Sequence, residues 1–305
     1  MDRTAGAEPA VPEISLGEDP GTVVVAAPVA APLDDVWAAL TDPARVEQWF
    51  GRLSGELSPR APVRLDFEDG DFFDLEVEEV AKPFLRFRWR FMGCGPRDAI
   101  EVRAEARDDG GTVVTVTDHE PSRSNDEALM LGEGWRDFTS RLQRHLMHGT
   151  RTRYDWRSDV DVWAELPLEA DAARRLVIAS AADWLPLADG AANLLVADAL
   201  VLDDGEEPAR FAIEGVHGTG PASVEFEVRP EGVDGSLTTR IGVEGRDDGA
   251  GASLAIGQTG FRDLPAPEAA QRRLRERFAA AWVAAARRAV ELADRAPAGA
   301  GDRAA

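Results

Sequence analysis

The sequence predicts an α+β protein built twice over, each half an antiparallel sheet wrapped on one long C-terminal helix. Three observations lead there. The stretches Thr112–Leu146 and Ala252–Ala286 share one layout at an offset of about 140 residues: a short apolar strand, a polar loop with proline, and a long amphipathic helix. Strand-like runs in the first half alternate apolar and charged side chains with a period of two. Both halves close on a helix whose apolar residues step by three and four.

The elements can be justified in order. Thr22–Ala27 is an apolar strand. Pro32 suits a first helical turn, and its helix runs to about Thr41. Asp42-Pro43 caps a second short helix through Trp49. Strands then follow over Pro62–Phe67, Phe72–Val80, Phe84–Phe91, Ala99–Ala106 and Thr112–Asp118. Turn signals separate them: Glu68-Asp69-Gly70, Lys82-Pro83, Gly93–Pro96 and Asp109-Gly110-Gly111. The closing helix shows Leu131, Trp135, Phe138, Leu142 and Leu146 on one face. In the second half Val160–Trp163 leads into Leu168, a helix through Ile178, and Trp184. Its last strand is Ser253–Ile256, and its long helix shows Leu274, Phe278, Trp282, Ala285, Ala289 and Leu292. The chain thus divides into a disordered lead over 1–20, one domain over 21–155, a second over 156–295 and a disordered tail over 296–305.

Composition narrows the function. In 305 residues, 44% are hydrophobic, enough for two cores, and 30% are charged. A net charge of −22 speaks against nucleic acid and against an anionic membrane surface. Cys94 is the only cysteine, so no intrachain disulfide forms. Four scattered histidines make no metal motif. Phosphate-loop, flavin and nicotinamide fingerprints are missing, so no cofactor is expected. No apolar run reaches about eighteen residues, and the start lacks a secretory layout. A cytoplasmic protein is expected.

The run Val36-Trp37-Ala38-Ala39-Leu40-Thr41-Asp42-Pro43, followed by Trp49-Phe50-Gly51, resembles the opening of the SRPBCC (START-like) superfamily. More narrowly, it resembles the proteins named after the activator of the heat-shock protein 90 ATPase. Gly111–Thr117 followed by Gly134-Trp135 and Phe138 is similar to that family's last strand and closing helix. The resemblance covers about Thr22–Gly149. It implies a helix-grip fold with a ligand cavity between sheet and long helix. The second half keeps Trp184 but lacks the Asp-Pro turn and the Gly-Trp pair, Leu274-Arg275 standing in its place. By layout and offset it is a diverged copy of the same fold. The resemblance implies binding of a hydrophobic small molecule. Two alternatives are a cyclase or dehydratase acting on a polyketide-like substrate, and a co-chaperone or protein-interaction module. A chaperone partner is disfavoured, because the eukaryotic activator has a separate N-terminal domain that does not fit into the first twenty residues here.

Strand alternation selects the candidate residues. Leu85, Phe87, Trp89 and Phe91 share one face, with Arg86, Arg88 and Arg90 on the other. Phe73, Leu75 and Val77 lie opposite Asp74, Glu76 and Glu78 on the neighbouring run. The facing arginine and carboxylate combs predict a cross-strand charge ladder rather than an anion site. Ligand contacts are expected from Trp37, Trp49, Phe50, Phe87, Trp89, Phe91, Trp135, Phe138 and Leu142. Asp118 and His119 are the acid–base candidates at the end of the last strand. Alternation sends His119 to the face opposite Asp118 and Glu120. His145 and His148 suit a helix C-terminus. Cys94 sits in a turn without a histidine partner.

Overall fold

The computed structural model describes residues 9–188, 197–202, 209–220, 222–230, 234–246 and 251–295. The chain forms two compact units. The first gathers the residues up to Glu68 with Phe72–Arg90 and Arg97–Asp155; the second gathers Asp69–Asp71, Phe91–Pro96 and the residues from Trp156 on.

In the first unit the order is β1 (Glu13–Leu16), β2 (Thr22–Val29), α1 (Leu33–Thr41), α2 (Pro43–Trp49), β3 (Arg52–Leu53), β4 (Pro62–Asp66), β5 (Phe72–Ala81), β6 (Phe84–Phe91), β7 (Arg97–Ala106), β8 (Thr112–His119) and α3 (Asn125–His148). The eight strands form one antiparallel sheet in the order β1-β2-β8-β7-β6-β5-β4-β3. Asp42 caps α2, its carboxylate accepting the amide of Ala44 at 2.9 Å. Ser124 and Glu127 form a capping box that starts α3, and Gly149 ends it in the left-handed conformation at φ 66°. Such termination favours a residue without Cβ.

The lead expected to be disordered over 1–20 contains β1, which pairs with β2 from Glu13↔Ala26 to Leu16↔Val23. Ile14 packs on the core from that strand, and the ladder with β2 satisfies its backbone groups. Helix α3 passes close by. A Cβ added at Gly132 would lie 2.7 Å from Ile14 Cγ2 and 2.9 Å from Val23 Cγ2.

The second unit runs β9 (Val160–Leu166), α4 (Ala170–Ala179), α5 (Ala181–Trp184), β10 (Ala199–Leu202), β11 (Ala209–Gly220), β12 (Ser223–Pro230), β13 (Leu237–Gly245), β14 (Ala252–Thr259), a short 3-10 turn at Phe261–Asp263, and α6 (Glu268–Arg295). Its six-stranded sheet has the order β10-β11-β12-β13-β14-β9. The expected tail over 296–305 lies outside the described residues. In both units the first strand pairs with the last: β2 with β8, and β9 with β14. Each unit also pins its second short helix the same way. Trp49 Nε1 donates to the carbonyl of Ala39 at 2.9 Å, and Trp184 Nε1 donates to that of Val177 at 3.0 Å. These are two copies of one fold.

The buried face of α6 differs from the expected one by part of a turn. Arg275 and Ala293 are buried where Leu274 and Leu292 were expected, and these two leucines are half-buried. Arg275 is drawn in by charge. Its guanidinium meets Asp71 at 2.8 Å and donates to the Asp69 carbonyl at 2.6 Å. Arg157 joins the cluster, meeting Asp71 at 3.0 Å and Asp69 at 3.2 Å. Burial alone would raise Asp69, but Arg157 and Arg275 hold its carboxyl below the usual range.

The charge ladder forms on the outer face of the first sheet. Arg64 meets Asp74, Arg88 meets Glu78, and Arg86 bridges Glu79 and Glu101, all within 2.8 Å.

Candidate functional site

The inner face of the first unit is aromatic. Trp89 from β6 stacks on Phe73 of β5, with ring centroids 3.9 Å apart, and on Trp135 of α3, 4.8 Å apart at 11°. Phe50, just past α2, lies 4.9 Å from Trp49 and 4.5 Å from Phe138. Phe87 meets Trp89 edge-on at 5.7 Å. Trp49, Phe50, Phe87, Trp89, Trp135 and Leu142 are buried, and Trp37 and Phe138 pack against them half-buried. Eight of the nine expected ligand contacts thus meet in one ensemble. The exception is Phe91, a half-buried residue grouped by its contacts with the second unit. The rings touch one another directly between sheet and helix.

At one end of this ensemble lies a buried polar group. Asp118, fully buried on β8, accepts the indole N–H of Trp135 at 2.8 Å. Asp98, on β7, accepts that of Trp89 at 3.2 Å. Arg123, from the loop between β8 and α3, joins the two carboxylates: its Nη1 lies 3.0 Å from Asp118 and its Nη2 lies 2.9 Å from Asp98. The same guanidinium donates to the Gly21 carbonyl. Two carboxylates therefore share one guanidinium. Burial, and then the like charge of Asp118, push the Asp98 carboxyl up to about 7. Burial also raises Asp118, against the pull of Arg123.

His119 lies on the other face, as alternation requires, its Nδ1 2.7 Å from the hydroxyl of Thr22. It does not converge with Asp118. Asp98 and Arg123 are the residues that sequence reasoning missed. Starting β7 at Ala99 left Asp98 between the Gly93–Pro96 turn and the strand. Extending the strand's alternation back from Ile100 and Val102 puts Asp98 on the inner face.

The second unit gives a neutral version of the same arrangement. Gln258 on β14 accepts the indole N–H of Trp282 at 2.8 Å and donates to the Thr239 hydroxyl on β13 at 3.0 Å. All three residues are buried. A small apolar depression lined by Val177, Ile178, Trp184, Leu185, Val224 and Ile241 has about 20 Å³ of free space, room for a single water-sized guest. Among the described residues no group of three or more His, Cys, Asp or Glu is placed to hold a metal, and no helix is long and apolar enough to cross a membrane.

The fold is that of the SRPBCC (START-like) class, present here in two copies. The family model of Activator of Hsp90 ATPase homolog 1-like protein matches residues 30–147. The chain belongs to this family. The crystal structure of DynU16, a protein in the dynemicin biosynthetic locus, is 36% identical over 90% of this chain and 99% of that one, with a TM-score of 0.80. CalU16 from Micromonospora echinospora is 22% identical over 46% of this chain and 86% of its own, with a TM-score of 0.39. SSP2350 from Staphylococcus saprophyticus is 23% identical over 44% of this chain and 98% of its own, with a TM-score of 0.38. No curated protein matches the chain.

Proposed function

We propose that the first unit binds a hydrophobic, ring-bearing small molecule between its sheet and α3, with Asp98, Asp118 and Arg123 at the polar end. One observation bears most of this reading. Burying two carboxylates against one guanidinium is costly. The second unit meets the same indole hydrogen bond with neutral Gln258. The fold therefore does not need the charges, and perturbed interior carboxylates of this kind mark functional sites. Similarity to a protein in a biosynthetic locus supports an organic metabolite as the ligand. The acidic composition speaks against nucleic acid and an anionic membrane surface as partners. Since Phe50 and Phe138 pack on each other beneath the sheet, the ligand enters by displacing side chains such as these.

The raised carboxyl of Asp98 favours one extension of this reading: proton transfer to a bound polyketide-like substrate, as in a cyclisation or dehydration. Asp98 and Asp118 would then be the acid–base pair, with His119 outside it.

Native mass spectrometry of protein purified from its own host tests the proposal. The expected result is a discrete, releasable added mass, reduced in Trp89→Ala protein that still folds. The same added mass in folded Trp89→Ala protein would overturn the placement of the ligand.

A further inference from the structure

We infer that Asp98 and Asp118 hold one proton between them, and that this proton sets how tightly Arg123 fastens the start of α3 to the sheet.

The geometry is that of a latch. Arg123 directly precedes Ser124, the residue that caps α3. Its guanidinium reaches three places at once: Asp98 on β7, Asp118 on β8 and the Gly21 carbonyl ahead of β2. The side chains of Arg123 and Asp98 are about nine-tenths buried, and that of Asp118 is wholly so. Water therefore screens the two carboxylates poorly from each other. Glu120, after β8, adds a further negative charge nearby, and His119 lies beside Asp118 on the strand. The elements β6 and α3 contribute the indoles of Trp89 and Trp135.

Charge counting separates this cluster from the other buried one. In the second unit Asp69 and Asp71, with Asp161 a further carboxylate nearby, meet two guanidiniums, those of Arg157 and Arg275. In the first unit two carboxylates meet one. A proton on Asp98 makes the trio neutral, and loss of that proton leaves one buried negative charge in excess. The raised Asp98 carboxyl agrees with this count.

Opposite consequences follow for the unit and for the latch. With the proton bound, only Asp118 holds Arg123 by charge. With it gone, two anions grip the same guanidinium, so the β8–α3 loop tightens while the unit as a whole is burdened by unbalanced charge. As control of access beneath α3, this rests on the binding reading above. The proton sharing does not, and it can be measured without a ligand.

The experiment uses the full chain. Indole N–H resonances of Trp89 and Trp135, assigned with Trp89→Phe and Trp135→Phe, are followed against pH in ¹H–¹⁵N spectra. Both should move with one common midpoint near 7. Asp98→Asn should abolish the movement, and Asp118→Asn should lower the midpoint by removing the like charge. Hydrogen exchange over residues 120–125, corrected for intrinsic rates, should slow several-fold across the same midpoint in the native sequence and stay flat in Asp98→Asn. Should Asp98→Asn fail to fold, the protonated-carboxyl infrared band of the native protein, lost over the same pH range, decides the sharing. Indoles that do not titrate between about pH 5 and pH 9, or a midpoint that survives in Asp98→Asn, would overturn the shared proton. A common midpoint with unchanged loop exchange would overturn the latch.

Discussion

Asp118 and Gln258 occupy the same place in their two units. Each lies on the last strand opposite a valine of the first, Val23 or Val160. Each accepts the indole N–H of a tryptophan on the closing helix at 2.8 Å. One is a carboxylate and the other a neutral amide, so the position is charged in the first unit and neutral in the second.

Asp98 should make the first unit less stable as pH rises. Its carboxyl is raised from 3.8 to about 7 in the folded state. Between those values the folded chain holds a proton that the unfolded chain has released. Stability linked to this group is thus fully present below 3.8 and lost as pH climbs through about 7. Asp98→Asn, which stays neutral, should be more stable than the native sequence at pH 8 by on the order of 2–4 kcal/mol. The gap should close toward pH 4 in urea titrations.

The two indole donors should differ in worth. Trp135→Phe leaves a buried carboxylate short of a donor and should cost about 2–4 kcal/mol, including lost ring contact. Trp282→Phe leaves only a neutral amide oxygen and should cost roughly 1–2 kcal/mol. Thermal unfolding that tracks the two units separately would check the order.

Two glycines one turn-fraction apart on α3 should respond with opposite sign. Gly132→Ala drives a methyl into Ile14 and Val23 and should destabilise by about 1–3 kcal/mol. Beyond the helix's own backbone and its chain neighbours, nothing lies within 4 Å of a Cβ added at Gly134, and Gly134→Ala should stabilise by roughly 0.5–1 kcal/mol through helix propensity. Chemical denaturation of both variants gives the comparison.

The arginine comb on β6 should matter little. Arg88 and Glu78 are half-exposed, and Arg88→Ala should change stability by under about 1 kcal/mol, less in high salt. A loss of ligand mass in this variant would reopen the anion reading of the comb.

Much of the architecture could be read from local pattern. The β5 and β6 faces, the Asp42-Pro43 cap and the α3 stripe all follow from periodicity and turn chemistry, which are encoded within a few residues. What escaped depends on long-range partners. Glu13–Leu16 reads as a polar lead until β2 supplies its ladder. Arg275 reads as a solvent residue until Asp69 and Asp71, some two hundred positions earlier, meet it. Asp98 was hidden by a strand start set two residues late. His119 was rightly separated from Asp118, because alternation alone decides that point.

The stacking of Trp89 on Trp135 has an optical consequence. Two indoles 4.8 Å apart and inclined by only 11° couple their excited states. In-plane twist between their transition moments turns that coupling into a paired band of opposite signs in circular dichroism. One ring belongs to the sheet and the other to the helix. Any guest that parts sheet from helix parts the rings as well, and the paired band collapses. Loss of the band on adding a candidate guest would report that separation without a label.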